Sequence, residues 1–214
     1  MSMQISKIFD LRTQFVKYGE YHYNLTNVII HIIFVPTILW TFSNYITLYT
    51  GGSLAFEYPE SVKAALGTSL GITASGLRHV DIYGFVYMLY YFILDPIAAL
   101  LFLPIFSSIL GASFKFVAYY ASEPSTAMYY TTIVFFVSWA VQFIGHFTFE
   151  KRAPALFDNL LQAFAMAPFF VFLEILFTLG YRKEFCEEMN NEIIQKIKEF
   201  KQTGSDGTAK SKNE

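Results

Sequence analysis

From Ile82 to Ala121 the chain is apolar for about 40 residues, twice the roughly 20 that a helix needs to cross a bilayer. The natural break in this run is Asp95-Pro96, because proline lacks an N–H donor and disfavours helix in the residue before it. Two consecutive helices are expected, the second carrying Pro104 and Gly111. Similar runs extend from about Val28 to Tyr49, interrupted by His31 and Pro36, from Met128 to Phe149, and from Leu160 to Leu179 with Pro168 near the middle. Together they make about five membrane segments by length. Composition agrees: 54% of residues are apolar and 15% charged, against roughly 25% charged in ordinary soluble domains. The expected fold class is all-α, a polytopic transmembrane helical bundle.

The flanking segments read differently. Residues 3–23 scatter Ile5, Ile8, Phe9, Phe15 and Val16 among charges, the pattern of a short amphipathic helix on the membrane surface. Residues 182–201 repeat it with Phe185, Met189, Ile193, Ile197 and Phe200, and the tail from Gln202 onward is polar and expected to be disordered. This divides the chain into a membrane-embedded domain, residues 1–181, and an amphipathic helix with a polar tail, residues 182–214. Residues 50–80 are expected to form an extramembrane loop with one short helix around Val62–Leu70. The first 25 residues hold five charges and no continuous apolar core, so insertion is expected to use the first span rather than a cleaved leader. A net charge of −2 gives no sign of a nucleic-acid partner, and a single cysteine, Cys186, excludes an intrachain disulfide or a multi-cysteine zinc site.

Against this apolar background the stretch from Trp139 to Arg152 stands out. Gln142, His146 and Glu150 are spaced i, i+4, i+8 and so share one helix face. Polar groups there cost several kcal/mol unless something pairs with them. The pairing partner could be a metal, a proton relay or a structural hydrogen-bond network. Two further histidines lie at the other end of the chain: His22 just before the first span and His31 about one turn inside it. After four crossings the end of the fourth segment returns to the side where the first began, which brings His146 to their depth. His22 and His31 are nine residues apart, on opposite faces of a continuous helix. They converge only if the helix breaks between them, and Asn24-Leu25-Thr26-Asn27 supplies capping chemistry for such a break. Three imidazoles with a carboxylate suit Fe(II), Zn(II) or Mn(II). Gln142 could hold a ligand's second nitrogen or bridge two helices. His79 reads as a loop histidine, Asp158 and Asn159 as helix caps or as residues facing the site, and Lys151 and Arg152 as interfacial anchors or as a grip on an acidic headgroup or fatty carboxylate.

The pattern Tyr21-His22-x-Asn24-x-x-Asn27-x-x-x-His31-x-x-x-x-Pro36, followed by Trp139-x-x-Gln142-x-x-Gly145-His146-x-x-Phe149-Glu150-Lys151-Arg152-x-Pro154-Ala155-Leu156, resembles the fungal and bacterial membrane family typified by the yeast endoplasmic-reticulum 2-hydroxy fatty acid dioxygenase. The likeness covers roughly residues 8–180. It implies a multi-pass protein of the endoplasmic-reticulum membrane that uses Fe(2+), dioxygen and a long-chain 2-hydroxy fatty acid, and releases a fatty acid one carbon shorter, a step of phytosphingosine breakdown. The family's histidines fall on His22, His31 and His146. Asn24, Gln142, Lys151 and Arg152 are then expected to support the ligands or the substrate, and Glu150 to act as a fourth ligand or a base. Two positions depart from the pattern: Tyr23 stands where the family has a second histidine, and Leu25 where it has a proline.

Two other readings compete. A non-catalytic scaffold or lipid-binding protein would hold no metal and tolerate loss of His146. A proton or ion transporter would need ionisable groups along its spans, where chiefly Asp95 and Glu174 are found. The ending Lys210-Ser211-Lys212-Asn213-Glu214 matches a cytosol-read retrieval signal. Five crossings would put it on the side opposite the histidines, unless the last segment is re-entrant.

Overall fold

The computed structural model describes residues 7–70, 75–153 and 162–210. In chain order the elements are α1 (Leu11–Gly19), α2 (Leu25–Thr50), β1 (Leu54–Glu57), α3 (Glu60–Leu70), β2 (Gly76–Arg78), α4 (His79–Leu94), α5 (Pro96–Tyr119), α6 (Pro124–Gly145) with a π-helical turn at His146–Glu150, then a second π turn at Gln162–Met166 leading into α7 (Ala167–Thr178), and α8 (Lys183–Lys210). They form two compact units, one from Met1–Ile33 and Val141–Glu214, the other from Phe34–Ala140.

The first unit is built on α1, α7 and α8. Asp10, in extended conformation, accepts the Thr13 N–H at 2.8 Å and starts α1. The helix buries Leu11, Phe15, Val16 and Tyr18. Phe15 meets Phe170 and Phe177 of α7 edge-on, with ring centres 5.6 and 5.1 Å apart, and Tyr18 lies 5.3 Å from Phe170. Such aromatic pairs contribute about 0.5–1.5 kcal/mol each beyond the area they bury. Pro168 sits in the first turn of α7, where its missing N–H costs nothing. The amphipathic α8 turns its apolar stripe inward, burying Met189 and Ile193. Gly19 makes room for it, since a Cβ there would overlap the Ile193 side chain. The surface pairs Arg12–Glu188 and Arg12–Glu192 add register but are open to solvent.

In the second unit α4 and α5 form a hairpin around buried Tyr91, Leu94, Ala98, Ala99, Phe102 and Phe106. The break falls at Asp95-Pro96, as the sequence predicts: Asp95 is extended (φ −155°) and its carboxylate accepts the Ala98 N–H at 3.1 Å, capping α5. The extramembrane loop does carry its short helix, α3. It also carries a small antiparallel hairpin, β1 with β2, that the sequence does not announce. Those strands are four and three residues long, and β1 is exposed throughout, so no buried alternation marks them.

Among the described residues the chain is all-α apart from that hairpin, and every predicted apolar segment is helical where it is described. Among the described residues, three helices are long and apolar enough to cross a membrane: Leu25–Thr50, Pro96–Tyr119 and Pro124–Glu150. With 16 residues, α4 falls short of that length, rising about 24 Å against a hydrocarbon core of about 30 Å. The last apolar segment and α8 are bent by 117°, and count as a fourth span only if the pair is taken together. Gly180 and Arg182, both at positive φ, make that turn. Asp158 and Asn159, as well as Ser211 to Glu214 of the C-terminal motif, lie outside the described residues.

A candidate metal centre in the first unit

The chain leaves α1 at Gly19 and enters α2 at Leu25, so the helix breaks at residues 20–24, a few positions earlier than the Asn24–Asn27 break predicted. The Asn24 side chain accepts the Thr26 N–H at 3.0 Å and opens α2. His22 is thereby folded back over His31. Their rings are 4.4 Å apart, and each is 4.8 Å from the ring of His146, with planes crossed at 72–78°. One nitrogen from each of the three histidines lies within 4.8 Å of the other two. His31 and His146 are each 3% exposed and His22 9%.

The ring nitrogens are not equivalent. The Nδ1 of His22 lies 2.9 Å from the Tyr18 carbonyl, and the Nδ1 of His31 lies 2.9 Å from the Asn27 carbonyl, in each case four residues back. A carbonyl oxygen only accepts, so both Nδ1 atoms carry the proton and each Nε2 keeps a free lone pair. This is the tautomer that a metal-ligating histidine adopts. His146 stands where α6 gives way to the π turn, and its Nδ1 is buried without a partner. An unpaired buried polar atom costs about 1–3 kcal/mol, a cost that a cation bound through that nitrogen would offset. Burial, reinforced by the charges His31 and His146 would bear, pushes the His22 imidazole well below its ordinary pKa. His22 is therefore neutral at physiological pH, as a ligand must be. The donor set fits a metal ion.

Tyr18 grips His22 twice, by its carbonyl and by a ring stacked at 4.1 Å. This residue was not singled out from the sequence, although its i, i+4 relation to His22 was there to be read. Glu150 lies at the end of the π turn. Its Oε1 accepts the N–H groups of Tyr23 and Asn24, both at 2.9 Å, and the Asn27 side-chain amide at 3.1 Å. The carboxylate thus holds the N-terminus of α2, where the helix dipole favours negative charge, and ties the loop carrying His22 to the segment carrying His146. Asn27 also donates to the Tyr21 carbonyl at 3.4 Å. Gly145 lets Asn27 approach, for a Cβ there would stand 2.6 Å from its Oδ1.

The remaining predicted residues are placed as follows. Gln142 is buried one turn before His146, and its amide nitrogen has no partner. Lys151 is exposed and left-handed (φ 54°), closing the π turn. The Arg152 guanidinium lies over the ring of Tyr21 at 3.7 Å and of Phe200 at 4.2 Å, and donates to the Glu20 carbonyl at 3.3 Å. These contacts fasten α8 to the His22 loop. His79 belongs to the second unit and faces the Ser53 carbonyl at 3.3 Å beside the hairpin.

Fold and site together define a class: an apolar helical protein whose helices, several of them long enough for a membrane, bring three buried histidines within metal-binding distance. The comparison with known proteins is more specific, and the chain belongs to the family described as 2-hydroxy-palmitic acid dioxygenase Mpo1-like, which matches residues 8–179. It is 34% identical over 174 residues to the 2-hydroxy-palmitic acid dioxygenase MPO1 of Saccharomyces cerevisiae, covering 81% of this chain and 84% of the yeast protein. No solved structure matches the chain.

Proposed function

We propose that this protein is an iron(II)-dependent dioxygenase of the endoplasmic-reticulum membrane that acts on long-chain 2-hydroxy fatty acids. The observation that carries the reading is the convergence of three buried histidines, two with Nδ1 tied to backbone carbonyls, in a relative of a 2-hydroxy-palmitic acid dioxygenase. His22, His31 and His146 would hold the metal. Bound iron would bring dioxygen and the hydroxy acid together and accept and return electrons, and a 2-hydroxy carboxylate offers it two oxygens. The overall reaction balances without a further reductant. The hydroxy acid and dioxygen give the acid one carbon shorter, carbon dioxide and water, and the four electrons lost by the first two carbons reduce the dioxygen.

The protein's own part is to hold the imidazoles neutral, aimed and dry. Tyr18 and Asn27 fix two tautomers through their carbonyls. Glu150 holds the His22 loop against the π turn and acts as a positioning residue. Gln142 is buried one turn before His146, and Asn24 sets the start of α2. Lys151 and Arg152 stand at the end of the π turn, where they offset the charge of an acid head approaching from the interface.

The test is elemental analysis of the full chain purified in detergent, together with product analysis on 2-hydroxypalmitate under air. About one iron per chain and formation of the acid one carbon shorter are expected. Protein that binds no iron and forms no product with added Fe(II) would be a lipid-binding or scaffold protein instead.

A further inference from the structure

Beside the histidines, the first unit encloses a cavity of about 510 Å³, within the roughly 300–1,000 Å³ typical of small-molecule sites. His22 forms part of its wall, so the cavity adjoins the candidate metal centre. Most of the rest is branched aliphatic: Val28 and Ile32, one turn apart on α2, Ile175 on α7, and Ile193 and Ile194 on α8. Glu174 also lines it, with a carboxylate that has no hydrogen-bond or ion-pair partner among the described residues. At the rim, Leu25 and Leu179 are 71% and 77% exposed. Leu25 is the first residue of a helix able to span a membrane. The mouth therefore opens where an apolar helix meets the interface, the depth at which a membrane-dissolved acid keeps its carboxylate while its chain lies in hydrocarbon.

We propose that this cavity is the acyl-chain site, taking the hydrocarbon tail of the 2-hydroxy acid laterally from the membrane with its polar head towards His22. The inference rests on the function proposed above and names where that substrate binds. An aliphatic slot next to a cluster of neutral imidazoles has one end for a chain and one for a head. Each buried methylene adds about fourfold to the binding constant, so the slot favours long acids over short ones. Ile32 of α2 and Ile194 of α8 line the same space from different elements.

Two variants made separately, Ile32→Trp and Ile194→Trp, test it, because an indole in either position fills room that a chain would use. The ratio of kcat/KM for 2-hydroxypalmitate over 2-hydroxyoctanoate is expected to fall at least about tenfold, and an unchanged ratio in both overturns the proposal. The unaltered protein supplies a second measurement. A 2-hydroxy fatty acid with a diazirine near the end of its chain is expected to label peptides of α7 and α8 on irradiation, and 2-hydroxypalmitate to compete that label away. Competed label found instead within Phe34–Ala140 overturns the assignment even if a tryptophan variant fails to fold. The two readings fail separately. Wild-type protein that turns over no 2-hydroxy acid of any length sinks the enzyme. Wild-type turnover with unaltered chain-length preference in both variants sinks only the cavity.

Discussion

Both units bury polar side chains, and both use the carbonyl one turn back to satisfy them. In the second unit Ser43, Thr47 and Ser138 each donate to the carbonyl four residues earlier, at 2.7–2.9 Å. In the first unit His22 and His31 do the same through Nδ1 at 2.9 Å. The outcomes differ because the side chains differ. A hydroxyl that has donated its proton keeps only weak acceptor capacity and needs nothing more, whereas an imidazole that has donated through Nδ1 still holds a strong lone pair on Nε2. Repeated on α2 and α6, the hydroxyl device gives helices that tolerate apolar surroundings. Applied to histidines that meet at one point, it gives a set of unspent donors. A buried polar residue thus marks a site when the local backbone cannot finish satisfying it.

The sharpest way to break this contrast is to remove one of the unspent donors. In His31→Ala, iron content and turnover are expected to fall by at least about 100-fold, because even groups that only support a ligand are worth 10–100-fold. The apo protein should unfold at nearly the wild-type temperature, since a buried imidazole with a free nitrogen contributes little to stability. Elemental analysis and thermal unfolding of the same preparation make the test. A variant that keeps its iron would show that the three rings are packing residues, like the serines.

A middle-sized effect is expected at Glu150, which joins the two ends of the site without belonging to the set of three. Its Oε1 takes two backbone N–H groups and one amide, each worth about 1.5–3 kcal/mol when the acceptor is charged. Glu150→Ala should weaken iron binding about 10–100-fold and lower stability. Glu150→Gln keeps an acceptor oxygen and should recover much of both. If Glu150 met substrate or iron directly, glutamine would fail as badly as alanine in kcat while stability returned. The comparison of Kd for iron, kcat and Tm across the pair separates the two roles.

Much of this was legible in the sequence because it depends on local chemistry. Asp95-Pro96 ends one helix and caps the next with no help from tertiary structure. The nine-residue spacing of His22 and His31 demands a break if both are to serve one site, and polar residues at 20–24 provide it. Long-range packing decided the rest. Gln142 and His146 are both buried one turn apart, as the i, i+4 stripe has them, but the helix widens into a π turn at His146–Glu150. One extra residue per turn swings Glu150 off the stripe and onto the start of α2. Nothing in the composition of His-Phe-Thr-Phe-Glu announces that widening. Asn27 reads as a cap, yet its role in linking Tyr21 to Glu150 depends on Gly145 of another helix. Apolar content alone also overstated α4, whose 16 residues are apolar enough for a span but too few.

The smallest effect should come from the other side of the comparison. Ser138 is 1% exposed and sits on α6 two turns before His146, as buried as the histidines. Its hydroxyl donates to the Val134 carbonyl at 2.7 Å, a carbonyl that already accepts within the helix. Ser138→Ala removes donor and acceptor together and leaves a methyl in an apolar place, so nothing unsatisfied remains behind. A change in stability of no more than about 1 kcal/mol, with iron content and kcat as in wild type, is expected from thermal unfolding and assay. A loss of iron in Ser138→Ala would mean that polar groups along α6 act on the centre collectively. The distinction between finished and unfinished side chains would then not be the one that separates the two units.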